Sequence, residues 1–106
     1  MADHQDFRSQ VLLRGEQTDG ASALVEITVP PRWDGPPLHH HAFAEAWYVL
    51  EGELTFQIAG ERRVVGAGGF AHVEGDVEHT LANPGDEPAH YLLTITPAGF
   101  ETYFDR

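Results

Sequence analysis

Three consecutive histidines followed by a glutamate, His39, His40, His41 and Glu45, are the residues of this 106-residue chain best suited to chemistry. Side chains alternate faces along an extended strand, so His39 and His41 point the same way while His40 points the opposite way, to a surface or interface. Glu45 returns to the face of His41 if the segment stays extended. Two imidazoles and a carboxylate on one wall suit Fe(II), Mn(II), Zn(II), Ni(II) or Co(II). The segment therefore predicts a divalent-metal site.

A fourth candidate ligand, His79, follows the turn at residues 74–77 and opens a short run that could pair across a barrel from the first segment. It would complete a site of three histidines and one glutamate. With a six-coordinate ion, two neighbouring positions stay open for water, substrate or dioxygen, as in catalytic sites. The alternative is a polar cluster without metal. We favour the metal because buried histidines need partners, which one ion supplies together.

The composition excludes several classes of function. Seventeen acidic residues against six basic ones give a formal charge of −11, which repels phosphate backbones and anionic membranes. The chain has no Cys and no Lys, which excludes thiolate ligands and lysine Schiff bases. Any metal must be held by His, Asp or Glu. With neither a basic N-terminal region nor a membrane-length apolar run, we expect a cytoplasmic protein that binds no nucleic acid and no membrane.

The elements that must position these residues are strands. Short apolar runs separated by Gly, Pro, Asn and Asp are typical of an all-β chain, and no helical period of apolar residues competes with them. Prolines at 30–31 and 36–37 predict an extended loop that leads into the histidines. The aromatic segment 97–104 predicts a helical turn or a tail over a barrel end or a partner. The predicted strands are Gln10 to Arg14, Ser22 to Val29, Ala46 to Glu51, Glu53 to Ala59, Glu61 to Val65, Gly69 to Glu74, Glu78 to Ala82 and His90 to Thr96.

These residues resemble the two motifs of the cupin superfamily. In the first motif, G-x5-H-x-H-x3,4-E-x6-G, the spacing from His39 through His41 and Glu45 to Gly52 is kept. In the second, G-x5-P-x-G-x2-H-x3-N, Gly68, His79 and Asn83 are in register. The resemblance covers about residues 20 to 100 and is closest to small single-domain, quercetin-dioxygenase-like members.

The resemblance has departures, and they affect loops. Gly35 lies four residues before the first histidine instead of six, and Glu74 and Asp76 stand where the family has Pro and Gly. We expect Gly75 to supply the positive φ one position early. The family's fold is then expected here: an all-β single-domain cupin, a jelly-roll-like double-stranded β-barrel. One domain would span residues 1–106, with a core at about 20–97 and with the strand 8–14 and the aromatic tail 98–106 packed on it.

Alternation also suggests a substrate pocket beside the metal. Trp47 and Val49 share the parity of Glu45, and Phe56 and Phe70 are expected on the opposite wall. Gln57 is the expected polar wall residue if its parity faces inward. Glu45 is a possible base, as the resemblance implies, and His72 is a possible proton shuttle. Asn83 is interpreted as a turn residue.

Two functions remain open. The first is a metalloenzyme acting on a small organic molecule through a metal-stabilised enolate or phenolate: an oxygenase with Fe(II), or an isomerase, cyclase or decarboxylase with Zn(II), Mn(II) or Ni(II). The second is a non-catalytic module that binds or senses a small molecule. We also expect a homodimer, because edge strands and the aromatics Trp33, Phe100, Tyr103 and Phe104 would otherwise face water.

Overall fold

The computed structural model describes residues 7–105, which contain eight β-strands and two short 3-10 helices. The eight predicted strands are confirmed, each with ends within two residues of the expected ones. The 3-10 helices are Gly15–Gln17 and Phe100–Asp105. The strands are β1 (Arg8–Leu13), β2 (Ala23–Val29), β3 (Ala44–Glu51), β4 (Glu53–Ile58), β5 (Glu61–Gly66), β6 (Phe70–Val73), β7 (His79–Ala82) and β8 (Ala89–Thr96).

The strands form two antiparallel sheets, in the order β1-β2-β8-β3-β6 and β5-β4-β7. This confirms the expected all-β cupin architecture. The sheets face each other across the apolar core, and alternation along each strand decides which residues enter it. β2, for example, buries its odd-numbered residues from Ala23 to Val29, and β8 buries Tyr91, Leu93 and Ile95. No helix in the described part of the chain is long and apolar enough to cross a membrane.

The loop before the histidines lies flat against β7. Trp33 and Asn83 exchange backbone hydrogen bonds of 2.9 and 2.8 Å, and the hydroxyl of Thr80 donates to the carbonyl of Pro36 at 2.5 Å. Gly35 makes this approach possible: its φ is +74°, and an added Cβ would lie 1.8 Å from the carbonyl oxygen of Leu81. The glycine is therefore required both for its backbone angle and for space.

The interpretation of Asn83 as a turn residue agrees with its contacts. Its buried amide donates to the carbonyls of Pro30 and Glu87 at 3.1 and 2.8 Å, and its Oδ1 accepts from the Gly85 amide at 3.1 Å. These bonds join the start of the loop to the turn after β7. The pairing of β7 with the loop is thus held at this end by a side chain.

The turn before β7 differs from the expectation. Asp76, and not Gly75, has the positive φ, at 65°. Asp is among the few residues that tolerate this region, because its short polar side chain fits there. Gly75 is needed for another reason: a Cβ would lie 2.3 Å from the carbonyl oxygen of Ala42. Asp76, which stands where the family motif has Gly, therefore adopts the positive φ that a glycine would favour.

The C-terminal 3-10 helix is fastened by a buried carboxylate. Glu101 accepts hydrogen bonds from the amides of Gly99 and Gly15, at 2.6 and 3.0 Å. Burial opposes ionisation of this carboxyl, but the amide hydrogen bonds outweigh it and hold the pKa of Glu101 below its usual value. A second link is the two-point ion pair of Arg14 with Asp105 at the surface. The aromatic tail is therefore tied to the loop that follows β1.

Candidate metal centre and pocket

Backbone hydrogen bonds bring the two histidine segments together. His39 and His79 exchange N–H to carbonyl bonds of 3.1 and 2.9 Å, and the amide of Asp76 donates to the carbonyl of His41 at 2.6 Å. The two segments are far apart in sequence but adjacent in space. His40, between the two inward histidines, is exposed, as its parity predicts.

Each of the three inward imidazoles is oriented by a carbonyl two residues away. The Nδ1 atoms of His39, His41 and His79 lie 2.8 Å from the carbonyl oxygens of Pro37, Phe43 and Val77. A carbonyl only accepts, so Nδ1 carries the proton and donates, and Nε2 of the neutral ring keeps its lone pair. Candidate ligand atoms of the three rings lie within 4.8 Å of one another. The rings therefore present the tautomer that binds a metal through Nε2.

The ring of His41 is held on its face as well. It stacks on Phe43, with ring centroids 3.7 Å apart and an interplanar angle of 5°. Phe43 in turn stacks on Phe100 at 5.0 Å. The same residue, Phe43, thus fixes this imidazole by its carbonyl and by its ring.

Glu45 meets two of these rings at the buried floor of the site. Its Oε1 lies 3.2 Å from Nε2 of His41 and 3.1 Å from Nε2 of His79. A neutral ring that donates through Nδ1 has only a lone pair at Nε2, which a carboxylate oxygen would repel. The contact therefore needs either a proton between the carboxyl and a ring or a metal ion between the groups.

At His79 the surroundings favour the protonated ring. Burial alone would lower its pKa, but the hydrogen bonds to Glu45 and to the Val77 carbonyl raise the pKa above its usual value. A divalent ion would satisfy the same atoms without the second proton, and would serve two rings and the carboxylate together. The donor set therefore fits a metal, and the three histidines could hold one. Glu45 is placed to join them.

Above this floor lies a pocket of about 680 Å³. Its inner wall is formed by side chains from both sheets, among them Ile27, Trp47, Leu81, Tyr91 and Leu93. Trp47 packs against Phe56 at 5.1 Å and against the ring of His79 at 5.9 Å. The candidate ligands thus lie beneath an apolar chamber.

The mouth of the pocket is aromatic. Aromatic rings from three parts of the chain meet there, with centroids 5.2 to 6.4 Å apart. They come from the residue before β1, from the proline-bracketed loop and from the C-terminal 3-10 helix. The aromatics expected at a dimer interface instead surround this opening, although Tyr103 is 52% exposed. The mouth residues are Phe7, Trp33, Phe100, Tyr103 and Phe104.

The structure corrects the expected pocket wall. Of the five residues expected there, Trp47 lines the pocket, while Val49 and Phe56 are buried in the core. Gln57 is exposed, because β4 turns Leu54 and Phe56 inward and neighbours on a strand cannot share a face. Phe70 is 58% exposed on the outer face of β6.

His72 is corrected for the same reason. β6 buries Ala71 and Val73, so His72 points outward and is exposed. Ala71 pairs with Trp47, whose large ring fills the space in front of it. A small residue is therefore needed on the inner face, and the aromatic and the histidine on either side face solvent. The structure does not bring His72 to the pocket.

Several pocket residues, such as Ile27, Leu81, Tyr91 and Leu93, were not predicted from the sequence, and Tyr91 is the polar one among these four. Tyr91 is 2% exposed and lines the pocket from β8. Burial and the nearby Glu45 carboxylate raise the pKa of its hydroxyl. The signal was the alternation of Tyr91, Leu93 and Ile95 against His90, Leu92 and Thr94, in which the first set is the more apolar. His90, on the other face, binds Glu26 at 2.6 Å.

Fold and site together define a small two-sheet β-barrel protein with a candidate metal centre beneath an apolar pocket. Comparison with known protein families identifies it more closely: the cupin domain family, Cupin_2, matches residues 25–95. The chain belongs to this family. No curated protein matches it significantly.

Three solved structures illustrate the fold. A predicted oxalate decarboxylase from Thermotoga maritima is 24% identical with a TM-score of 0.79, over 86% of this chain and 80% of that one. The Cupin_2 domain of an XRE family transcriptional regulator from Enterobacter cloacae is 24% identical with a TM-score of 0.72, over 87% and 97%. The polyketide cyclase RemF from Streptomyces resistomycificus is 20% identical with a TM-score of 0.73, over 87% and 66%. At these identities the likeness shows the fold alone.

Proposed function

We propose that this cupin holds one divalent metal ion through His39, His41, His79 and Glu45 and acts as a metalloenzyme on a small organic molecule. The observation that carries the proposal is the convergence of three lone pairs and one carboxylate beneath an apolar pocket. When bound, the ion would supply Lewis-acid stabilisation of an enolate or phenolate, as an isomerase, cyclase or decarboxylase with Zn(II), Mn(II) or Ni(II), or oxygenase chemistry with Fe(II).

The chain's own residues divide the remaining work. Glu45 would leave the ion and act as the base: it lines the pocket and would take a proton from the substrate on its carboxylate. The walls around Trp47 and Leu93 exclude water, which strengthens every charge interaction at the floor. The carbonyls of Pro37, Phe43 and Val77 keep the rings in place through these steps.

Metal content tests the proposal first. Untagged protein, purified without chelator and reconstituted under anaerobic conditions, is expected to carry close to one equivalent of metal by elemental mass spectrometry. His41→Ala and His79→Ala should each remove most of it, whereas His40→Ala, an exposed neighbour, should remove none. No metal in the wild type, or equal loss in the His40→Ala control, would contradict the site.

The base is tested separately. Glu45→Gln keeps the three histidines and should retain much of the metal, while turnover of any substrate falls by about 100-fold or more, the range expected for loss of a general base. Metal retention with full turnover would remove Glu45 from the mechanism. Oxygen uptake would be assayed if the metal is iron, and isomerase and cyclase reactions if it is zinc or nickel.

A non-catalytic binding module is the second candidate. It is supported by the likeness to the cupin domain of a transcriptional regulator, which the chain covers almost completely. The two candidates differ in one observable. A metal-loaded protein that binds a small molecule at stoichiometric level and releases it unchanged after prolonged incubation is a binding module.

We further propose a homodimer that covers the outer face of the five-stranded sheet. Tyr48 and Phe70 are paired in register there and are 43% and 58% exposed. Large exposed apolar side chains side by side are typical of interfaces. Replacing both with Asp should shift the mass measured by light scattering from two chains to one, whereas Val64→Asp on the other sheet should not. A monomeric wild type would overturn this assignment.

A further inference from the structure

We propose that the pocket selects a planar, largely apolar compound with fused or conjugated rings and one weakly acidic or anionic oxygen, and that Tyr91 donates a hydrogen bond to it. The inference rests on the proposed function for the position of the anionic oxygen at the floor. The apolar walls of the pocket consist of residues that are not ligands of the proposed ion.

The walls of the pocket are rich in aromatic rings. Seven aromatic side chains of the described chain line the pocket, and rings prefer offset-stacked or edge-to-face contact with other rings. Those at the mouth already stack on one another, as in the 5.2 Å parallel pair of Phe100 and Tyr103. A planar ligand extends this arrangement. The seven are Phe7, Trp33, Trp47, Tyr91, Phe100, Tyr103 and Phe104.

The second argument is the absence of positive side chains from the described lining. The chain has no Lys, and no Arg of residues 7–105 lines the pocket. Arg14 and Arg32 are engaged with Asp105 and Asp86 at the surface. Glu45 adds a negative charge to the floor. A ligand with several carboxylates or a phosphate would bring charges that one divalent ion cannot compensate in an apolar chamber.

Sugars and other polyols are disfavoured for a related reason. Each hydroxyl that leaves water needs a hydrogen-bond partner, or its burial costs free energy. Above the floor, the walls offer few such groups, chiefly the hydroxyls of Ser9 and the tyrosines. The pocket volume of about 680 Å³ lies within the usual range for small-molecule sites and exceeds what a two-carbon or three-carbon acid would fill.

The inner wall of the pocket carries a polar group that the proposed metal site does not use, the hydroxyl of Tyr91. Its side chain is 2% exposed and lines the pocket, and its hydroxyl has no hydrogen-bond partner among residues 7–105. No fully buried side-chain oxygen or nitrogen among residues 7–105 lacks a partner, so this hydroxyl is open to the pocket, where a ligand atom that accepts from it takes the place of water. A tyrosine hydroxyl ordinarily has a pKa of about 10, so Tyr91 keeps its proton and can act as a donor at neutral pH.

The experiment compares four probes by titration calorimetry on metal-free and zinc-loaded protein. They are 1-hydroxy-2-naphthoate, glycolate, galacturonate and citrate, of which only the first has aromatic rings. Quenching of Trp33 and Trp47, the only tryptophans of the chain, reports entry into the pocket. We expect the naphthoate to bind at least tenfold more tightly than the other three to the zinc-loaded protein.

Single substitutions test where on the protein the naphthoate binds. Phe100→Ala should weaken naphthoate binding about tenfold, and Phe70→Ala, the same change on the outer face, should leave it unchanged. Tyr91→Phe should weaken binding about three- to tenfold, the value of one hydrogen bond, with zinc stoichiometry and melting temperature unchanged. Equal affinity of Tyr91→Phe and wild type would overturn the role of Tyr91.

The outcomes separate this inference from the proposed function. Tighter binding of citrate or galacturonate than of the naphthoate overturns the inference. Stoichiometric zinc without naphthoate binding overturns it too, and leaves the metal site standing. Naphthoate binding that is sensitive to Phe100→Ala in a protein that takes up no metal supports the inference on the walls and contradicts the metalloenzyme.

Discussion

The floor and the mouth of the pocket are built in different ways. The floor residues lie on or beside strands: His79 and Glu45 are 1% and 6% exposed, His39 and His41 are partly buried, and backbone carbonyls orient the three imidazoles. The mouth is assembled from a loop, the first described residues and a 3-10 helix, and its side chains touch mainly through rings. The rings at the floor are oriented by hydrogen bonds, whereas those at the mouth are held by contacts between rings. The floor is suited to position an ion and the mouth to select what reaches it.

If floor and mouth are independent, a substitution in one should leave the other intact. The largest loss of stability is expected at Gly35, where the loop before the histidines lies against β7. Gly35→Ala should destabilise the protein by about 3 kcal/mol or more, because the added Cβ meets a backbone carbonyl and the φ is strained. The loss is measured by urea unfolding, and metal content should fall with it.

Gly60→Ala is the matched control. Its φ is +83°, close to that of Gly35, but a Cβ there meets nothing within 4 Å. It should cost only the backbone strain, about 1 kcal/mol. If both variants lose the same stability, the close contact of the loop with β7 contributes nothing, and the floor is less rigid than we describe.

An intermediate effect is expected at the mouth. Glu101→Gln removes a charged acceptor from two amides and should cost about 1 to 2 kcal/mol at pH 7 while leaving metal affinity unchanged. Because the pKa of Glu101 is lowered in the folded protein, its contribution is complete above the unfolded value of about 4.3 and fades as pH falls through the folded value.

The difference between wild type and Glu101→Gln should therefore shrink in acid. Urea unfolding at pH 7 and at pH 3 measures it, with the exposed Glu16→Gln as a control that should change little at either pH. A difference that grows on acidification would mean that the amides do not stabilise the ionised form.

The smallest effect is expected at the turn before β7. Asp76→Gly should change stability by no more than about 0.5 kcal/mol, because relief of the positive φ is opposed by the greater freedom of glycine in the unfolded chain. Asp76→Val, which does not tolerate that φ, should cost about 1 to 3 kcal/mol. Equal stabilities of the two variants would show that the turn conformation is not maintained in solution.

Sequence patterns predicted the local features of this fold better than the contacts between distant segments. Turn residues and alternation are local, and they located the eight strands within two residues. Motif spacing located the residues that meet at the floor, since the resemblance includes both segments. Which face of a short strand points inward depends on a partner strand. β6 has only four residues, and its register with β3 places Ala71 and Val73 on the inner face, opposite Trp47 and Glu45.

The mouth shows the same limit. Phe100, Tyr103 and Phe104 were evident as an exposed aromatic group in the sequence, but a barrel end and a partner surface were equally open. The position of the aromatic segment is set by Glu101, whose carboxylate accepts a hydrogen bond from the Gly15 amide. This bond joins residues near opposite ends of the chain. Sequence spacing carries no information on such a contact.

The carbonyls that orient the three imidazoles come from the same short segments as the rings, at a distance of two residues. Ligand geometry is therefore encoded locally, while the walls of the pocket are contributed by distant parts of the chain. Substitutions at Ile27 or Leu93 can change what the pocket admits without altering the carbonyls that orient the histidines. In evolutionary terms, such a centre can be inherited intact while its ligand preference drifts, and in design terms the walls can be rebuilt around an unchanged floor.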